Sequence, residues 1–351
     1  EARRQGLRDA MMAAERRSFL GVRQSATGLH WEHRLSENDE RAALAIAQGL
    51  GVPDIVARVL AGRGVLPDAA TSFMDPTIRD LLPDPGTLTD MDRAAERFAR
   101  AVMRGEKVAV FGDYDVDGAA SAALVARFFV HFGIACEIYI PDRIFEGYGP
   151  NPDAMRELVA RGASLIVTVD CGSNSPAALE AAAEAGAEVV VLDHHQMAGA
   201  LPRAVAVVNP NREDDLSGQG HLCAAGVVFL FLVQTLRLLR KATPGREMPD
   251  LLGLVGLATV SDVVPLRGVN RAFVVKGLAA MRRRDNLGLA ALAGVARIGE
   301  PLNTFHLGFL IGPRINAGGR IGDAALGSRL LATTDESEAR AIAETLDRLN
   351  Q

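Results

Sequence analysis

The sequence predicts an α/β fold: a parallel β-sheet flanked by helices, preceded by a mostly helical N-terminal segment and followed by the start of a long C-terminal connecting helix. Two observations carry this. First, three apolar β-rich runs each stop on acids: 108–112 on Asp113, Asp115 and Asp117; 165–169 on Asp170; 189–192 on Asp193, His194 and His195. Continuous apolar runs are what strands buried on both faces require. Second, one helix–loop–strand unit occurs twice. Asn151-Pro152 opens a helix that stops at Gly162 before the strand to Asp170; Ser175-Pro176, Gly186 and the strand to Asp193 repeat it. Such alternation builds a parallel sheet, whose strand ends gather along one edge, where ligands bind.

With 351 residues, 48% of them hydrophobic and 23% charged, the chain can bury a large core and predicts more than one domain. The expected divisions are 1–85, 86–334 for the sheet domain, and 335–351 for the connecting helix. Residues 1–35 are Arg-rich, contain Trp31 and show no clean period. The first residue is Glu1, which suggests a trimmed or processed start, and partial disorder is expected there. Residues 37–60 read as two short helices broken by Gly49, Gly51 and Pro53. The stretch 63–88, with four prolines, reads as a helix-poor connector. A helix is expected over 91–104 with Gly105 as its C-cap, and another over 119–132 closed by Gly133. The acidic loop 113–118 would then sit at a helix N-terminus, where free N–H groups favour anions.

The strand CEIYIPDR and the loop RIFEGYGPN follow, and after the repeated units come a strand within 205–211 and a buried helix over 224–240. The apolar element 251–260 ends at Ser261, Asp262 and Pro265. A charged helix spans 271–285. In FLIGPRINAGGRIGDA, Arg314 and Arg320 flank Asn316 among glycines, a pattern suited to cradling phosphate. The terminal helix carries Ile342, Leu346 and Leu349 on one face, and its packing partner is expected outside this sequence.

Asp113, Asp115 and Asp117 alternate, so in an extended segment they would project to one side. Close carboxylates repel and take up protons unless a cation neutralises them, and hard divalent ions with added imidazole suit this donor set. Asp193, beside two histidines, reads as the group that orients their rings. His30, His33, His131, His221 and His306 lie outside the strand-end set and read as surface or packing residues. Cys136, Cys171 and Cys223 form no CxxC pair or disulfide framework; Cys171 reads as a small buried hydrophobe. Asp142 beside Arg143 reads as a local ion pair. No apolar run approaches the ~20 residues that span a bilayer, residues 1–30 lack a secretory core, and the cytoplasm is the default compartment. A net charge of -5 says little about nucleic acid when a basic groove can sit beside an acidic site. No Ser-His-Asp set and no GxGxxG are present, which argues against a protein nucleophile and a dinucleotide cofactor.

The strings GDYDVDG, DRIFEGYG, TVDCG, LDHH, SDVVPL and IGPRINAGGR stand in the order and approximate spacing of the DHH phosphoesterase superfamily. The arrangement most resembles the bacterial RecJ single-strand-specific 5′→3′ exonucleases. The resemblance implies a metal-dependent hydrolase that releases 5′-mononucleotides from single-stranded DNA in recombination and repair. It implies two Mn ions, with Mg able to serve, held by Asp115, Asp117, Asp170, His194 and Asp262, with Asp170 bridging. Asp113 would support the first motif and His195 would contact the scissile phosphate. Arg143, Arg314 and Asn316 would hold substrate phosphates, and Arg320 joins them on the residue pattern alone. Single-strand-binding protein and a helicase are the implied protein partners, and no membrane is. The other readings are a DHH phosphodiesterase for short oligoribonucleotides or cyclic dinucleotides, and a catalytically silent DNA-binding DHH protein.

Two departures stand out. Phe111 occupies a position where some relatives carry His, and phenylalanine cannot ligate. The DHH-associated domain with a Gly-Gly-His motif, and the OB fold of many RecJ proteins, are not in this sequence, so poor cutting by this chain alone is expected.

Overall fold

A computed structural model describes residues 18–134, 136–143, 145–197, 199–240, 245 and 247–351. The disorder expected near the start falls largely on residues 1–17, outside the described residues. The chain divides into two compact units, Glu1–Pro76 and Thr77–Gln351.

In the first unit, helix Glu37–Leu50 begins with a reciprocal capping box between Ser36 and Asp39 and ends at Gly51 in the left-handed region. It packs on helix Asp54–Ala61 through Ala43, Ile46, Ala57 and Leu60. The proline-rich connector is more ordered than expected. It contains the short helix Ala70–Met74 and, in the second unit, Ile78–Leu81, capped by the Thr77 side chain.

The second unit is built on five parallel strands, β1 (Val108–Gly112), β2 (Cys136–Tyr139), β3 (Leu165–Val169), β4 (Glu188–Leu192) and β5 (Ala206–Val208), in the order β2-β1-β3-β4-β5. Alternate side chains divide between two helical layers, as the pleat demands. Val108, Val110, Leu165, Val167, Val190 and Leu192 join the core formed with helices Met91–Arg104, Val116–His131 and Ala224–Leu239. Ala109, Phe111, Ile166, Val189 and Val191 pack with helices Pro152–Ala160 and Pro176–Glu184. Asn151 caps the first of these through its side chain, whereas Ser175 makes no side-chain cap bond. Phe111 is fully buried and stacked on Tyr139, with ring centroids 5.5 Å apart, so its side chain serves the core of the second layer.

The segment read as a glycine-rich cradle is helical. A π-turn, His306–Ile311, runs into helix Gly312–Gly318. Its backbone N–H groups are therefore largely committed to helix bonds, and the glycines serve close packing: a Cβ at Gly319 would lie 2.4 Å from the Tyr114 side chain. The terminal helix Glu336–Asn350 also differs from expectation, because its partner is in this chain. Ile342 and Leu346 are buried against helices Leu287–Val295 and Gly312–Gly318, and Asp347 receives two 2.8 Å bonds from Arg314.

Candidate metal centre

The sheet's register creates the site. Gly112 pairs with Val169, Val169 with Leu192, and Leu192 with Val208. The next residues, Asp113, Asp170, Asp193 and Asn209, therefore stand in one row at the carboxyl ends of four adjacent strands, at the ~4.8 Å spacing of neighbouring chains. The order reverses between β1 and β3, the point where open α/β sheets bind ligands.

Asp115 and Asp117 reach this row by a route different from the predicted one. The helix starts at Val116, three residues earlier than expected. Asp115 is its N-cap and accepts the Gly118 N–H at 2.9 Å, while Asp117 lies in the first turn. The three acids thus do not alternate along an extended segment, and they separate into two groups. Close approach depends on Gly118, since a Cβ there would lie 2.4 Å from the Asp113 carbonyl oxygen.

Among the described residues three groups have ligand atoms mutually within 4.8 Å: Asp113, Asp115 and Asp170; Asp170, His194 and His195; and Asp117, His194 and Asp262. Asp170 and His194 are each shared by two of them, so the groups form one continuous chain of donors. The His194 Nδ1 faces the Leu222 carbonyl oxygen at 3.1 Å. A carbonyl only accepts, which puts the proton on Nδ1 and leaves the Nε2 lone pair facing Asp170 at 3.3 Å and Asp117 at 3.7 Å. Asp117 is fixed by the Ala224 and Ala225 N–H groups, at 2.6 and 2.8 Å, from the N-terminus of helix Ala224–Leu239.

Asp193 sits behind the histidines. Its Oδ1 bonds the His195 Nδ1 at 2.8 Å and the His194 N–H at 2.7 Å, and its Oδ2 accepts the Ser173 N–H at 3.1 Å. The His195 Nε2 turns outward, 3.4 Å from the Tyr148 hydroxyl. Two non-glycine residues of the centre have left-handed backbone: Asp170 has φ 60° and the β-branched Val263, directly after Asp262, has φ 57°.

The donor set fits divalent cations. The fully buried Asp170 has an Oδ1 with no hydrogen-bond partner. Burial, and then neighbouring carboxylates, push Asp117 and Asp170 well above the usual range, and Asp113 to about 6. Burial also raises Asp262. Such a cluster calls for positive charge. Asp193 behaves oppositely: despite burial, its bonds to His195 and Ser173 hold it down to about 2, and the same Asp193 bond raises His195.

This predicts a reversal of pH dependence on metal removal. Between the ordinary carboxylate value near 3.8 and about 6, the folded state holds a proton on Asp113 that the unfolded state has released. Asp117 and Asp170 act in the same direction, and so does His195 above its ordinary value. Stability of the metal-free protein should therefore rise as pH falls from 7.5 to 5. Protons compete with metal for these groups, so saturating Mn should flatten or invert the trend. Thermal melts with chelator and with Mn measure both; a chelated protein that loses stability over this range contradicts the assignment.

The phosphate-binding candidates differ in how far they are already engaged. The Arg143 guanidinium lies 5.2 Å from the Tyr114 ring centroid, bonds the Tyr114 hydroxyl, and lowers the proton affinity of Asp113. Asp142 is turned to the Phe145 N–H. Asn316 has a buried Oδ1 without a hydrogen-bond partner. Arg314 is committed to Asp347 and the Leu310 carbonyl, and Arg320 is exposed on the Asn316 side of that helix. Burial raises the Cys171 thiol well above its usual range, as suits a core residue.

Several participants were not singled out from sequence. Asn209 donates to Ser173 Oγ and to the His195 carbonyl, both at 2.9 Å; the rule that strand ends face the site would have found it. Tyr114, Tyr148, the Leu222 carbonyl and the two helix N–H groups carry no comparable sequence signal.

Residues 107–259 match the DHH family, N-terminal domain. The single-stranded-DNA-specific exonuclease RecJ of Escherichia coli (strain K12) is 36% identical over 330 residues, covering 91% of this chain and 56% of that protein. The chain belongs to the DHH family. The same-named protein of Bacillus subtilis (strain 168) is 34% identical over 330 residues, covering 93% of this chain and 40% of that one. The DHH chain thus spans about half the length of these relatives. A crystal structure of RecJ in complex with Mn2+ from Thermus thermophilus superposes with a TM-score of 0.74 at 31% identity, over 88% of this chain and 44% of that one. The row of strand-end residues lies inside the matched DHH segment, and Asp262, at the end of helix Leu252–Ser261, follows that segment by three residues.

Proposed function

We propose that this chain is the catalytic part of a Mn-dependent, single-strand-specific 5′→3′ exonuclease that hydrolyses DNA phosphodiesters to 5′-mononucleotides. The observation that carries this reading is the continuous chain of donor groups sharing Asp170 and His194 at the sheet's edge. Asp115, Asp117, Asp170, His194 and Asp262 would hold two divalent cations. When bound, these supply charge neutralisation at phosphorus and lower the pKa of water.

The protein's own groups have separable tasks. Asp113, which stands beside Asp115 and Asp170 in one donor group, would support the first motif and serve catalysis there. His195, kept proton-rich by Asp193, points Nε2 outward to meet a phosphate oxygen. Asp193 and Leu222 fix the two imidazole orientations. Arg143, Asn316 and Arg320 are suited to phosphates along the strand, whereas Arg314 supports them by anchoring helix Gly312–Gly318 to the terminal helix. Residues 86–334 would form the catalytic domain, and 335–351 the start of the connection onward. Single-stranded DNA is the proposed substrate; single-strand-binding protein, a helicase and a cytoplasmic location rest on family resemblance. Among the described residues no helix is long and apolar enough to cross a membrane.

The test is digestion of 5′-labelled and 3′-labelled oligonucleotides with Mn. Mononucleotide release beginning at the 5′ end of single strands is expected. Release from the 3′ end, equal attack on duplex, or preference for dinucleotides over long strands would rule the reading out.

A further inference from the structure

Away from the metal centre, at the opposite end of the helix that opens with Asp115 and Asp117, lies a second cavity of about 360 Å³. That is within the range of small-molecule sites. Leu254, Met281, Leu289, Ile298 and Leu302 give it an apolar wall, and six charged residues line it. Its acids are already engaged: Asp250 and Asp285 share Arg283, and Glu300 faces His306 Nε2 at 3.3 Å. Its cations are not. Among the described residues Arg127, Arg282 and Arg284 have no acidic partner, and Arg127 is half-buried, its proton affinity lowered by burial alone. A guanidinium stays charged, and one withdrawn from water without a counter-charge is unfavourable.

We propose that this cavity binds a small amphipathic monoanion, a carboxylate or sulfonate on an apolar body, with the anionic head against Arg127 and the body against the apolar wall. Head and body are each matched by something on the surface that is otherwise unsatisfied. The cavity also touches both helices that lead to the metal centre. Val116–His131 brings Arg127 from one, and Leu252–Ser261, which ends at Asp262, brings Gly253 and Leu254 from the other. Retention of Mn binding therefore reports that the two helices bearing Arg127, Gly253 and Leu254 keep their fold.

The experiment uses the full 351-residue chain. Fluorescence of 1-anilinonaphthalene-8-sulfonate is titrated on the folded protein and displaced by decanoate, decanol or decyltrimethylammonium. One saturable site is expected, with decanoate displacing the dye at a concentration at least about tenfold below that of decyltrimethylammonium, a factor worth about 1.4 kcal/mol. Arg127→Met should remove that preference while keeping the Mn-induced thermal shift. Equal displacement by all three chains on the native protein, or an unchanged decanoate preference in a Mn-binding Arg127→Met, would overturn the proposal. The three-competitor comparison decides even if the variant fails to fold.

Discussion

Asp170→Asn should lower phosphodiester hydrolysis by about a thousandfold or more, and abolish Mn-induced stabilisation, without unfolding the protein. Asp170 belongs to two of the three donor groups, so its loss weakens both sides of the centre at once. Asparagine is the informative replacement. Residue 170 has φ 60°, a conformation that Asn adopts readily and Ala does not, and the amide keeps the side chain's shape. The metal-free variant should also be as stable as its parent or more so at neutral pH, because the buried group facing Asp117, Asp115 and Asp113 no longer has to take up a proton to be uncharged. Melts with chelator and with Mn would separate the two effects. In the parent, Mn at a hundred times its dissociation constant adds about 2.7 kcal/mol; in the variant the curves should coincide. Retention of a tenth of the activity would show that Asp170 is not at the centre of the chemistry.

Phe98→Ala should destabilise the second unit by about 3–5 kcal/mol while sparing catalysis at low temperature. Phe98 is fully buried and its ring centroid lies 6.1 Å from Phe128, 4.7 Å from Phe129 and 4.9 Å from Phe231. The four rings tie together helices Met91–Arg104, Val116–His131 and Ala224–Leu239, the last two of which carry Asp117 and the N–H pair that clamps it. Truncation leaves a void among rings that cannot readily collapse. The measurement is calorimetric melting with exonuclease assays at 20 °C and at the parent's melting temperature. A change below about 1 kcal/mol would mean that the neighbouring rings refill the space.

Much of the site could be read from sequence because buried parallel strands and their terminal acids are both written locally. Residues 165–169 followed by Asp170 coincide with β3, and Asp193 with the end of β4. The convergence of Asp113, Asp115 and Asp117 was anticipated for the wrong reason. Strand-like alternation suggested one face, but a helix begins at Val116 and places Asp117 with His194 and Asp262 instead. The IGPRINAGGR stretch misled similarly. Glycine is read as freedom of the backbone, yet here it permits contact, and only the fold shows that Tyr114 is what approaches Gly319. The terminal helix exposes the same boundary: its apolar stripe is visible in sequence, but the surface it meets is a tertiary fact.

The alignment of Gly112, Val169, Leu192 and Val208 across four strands makes the centre intolerant of changes in chain length where ordinary substitutions are accommodated. Deleting one residue within β3 would turn every later side chain of that strand to the opposite layer and retract Asp170 by one rung. Gaining or losing a residue in a surface turn between helix and strand leaves the rungs untouched. Variation among descendants of this sequence should accordingly be dense in letters outside the acids and imidazoles of the centre, yet sparse in gaps along these four segments.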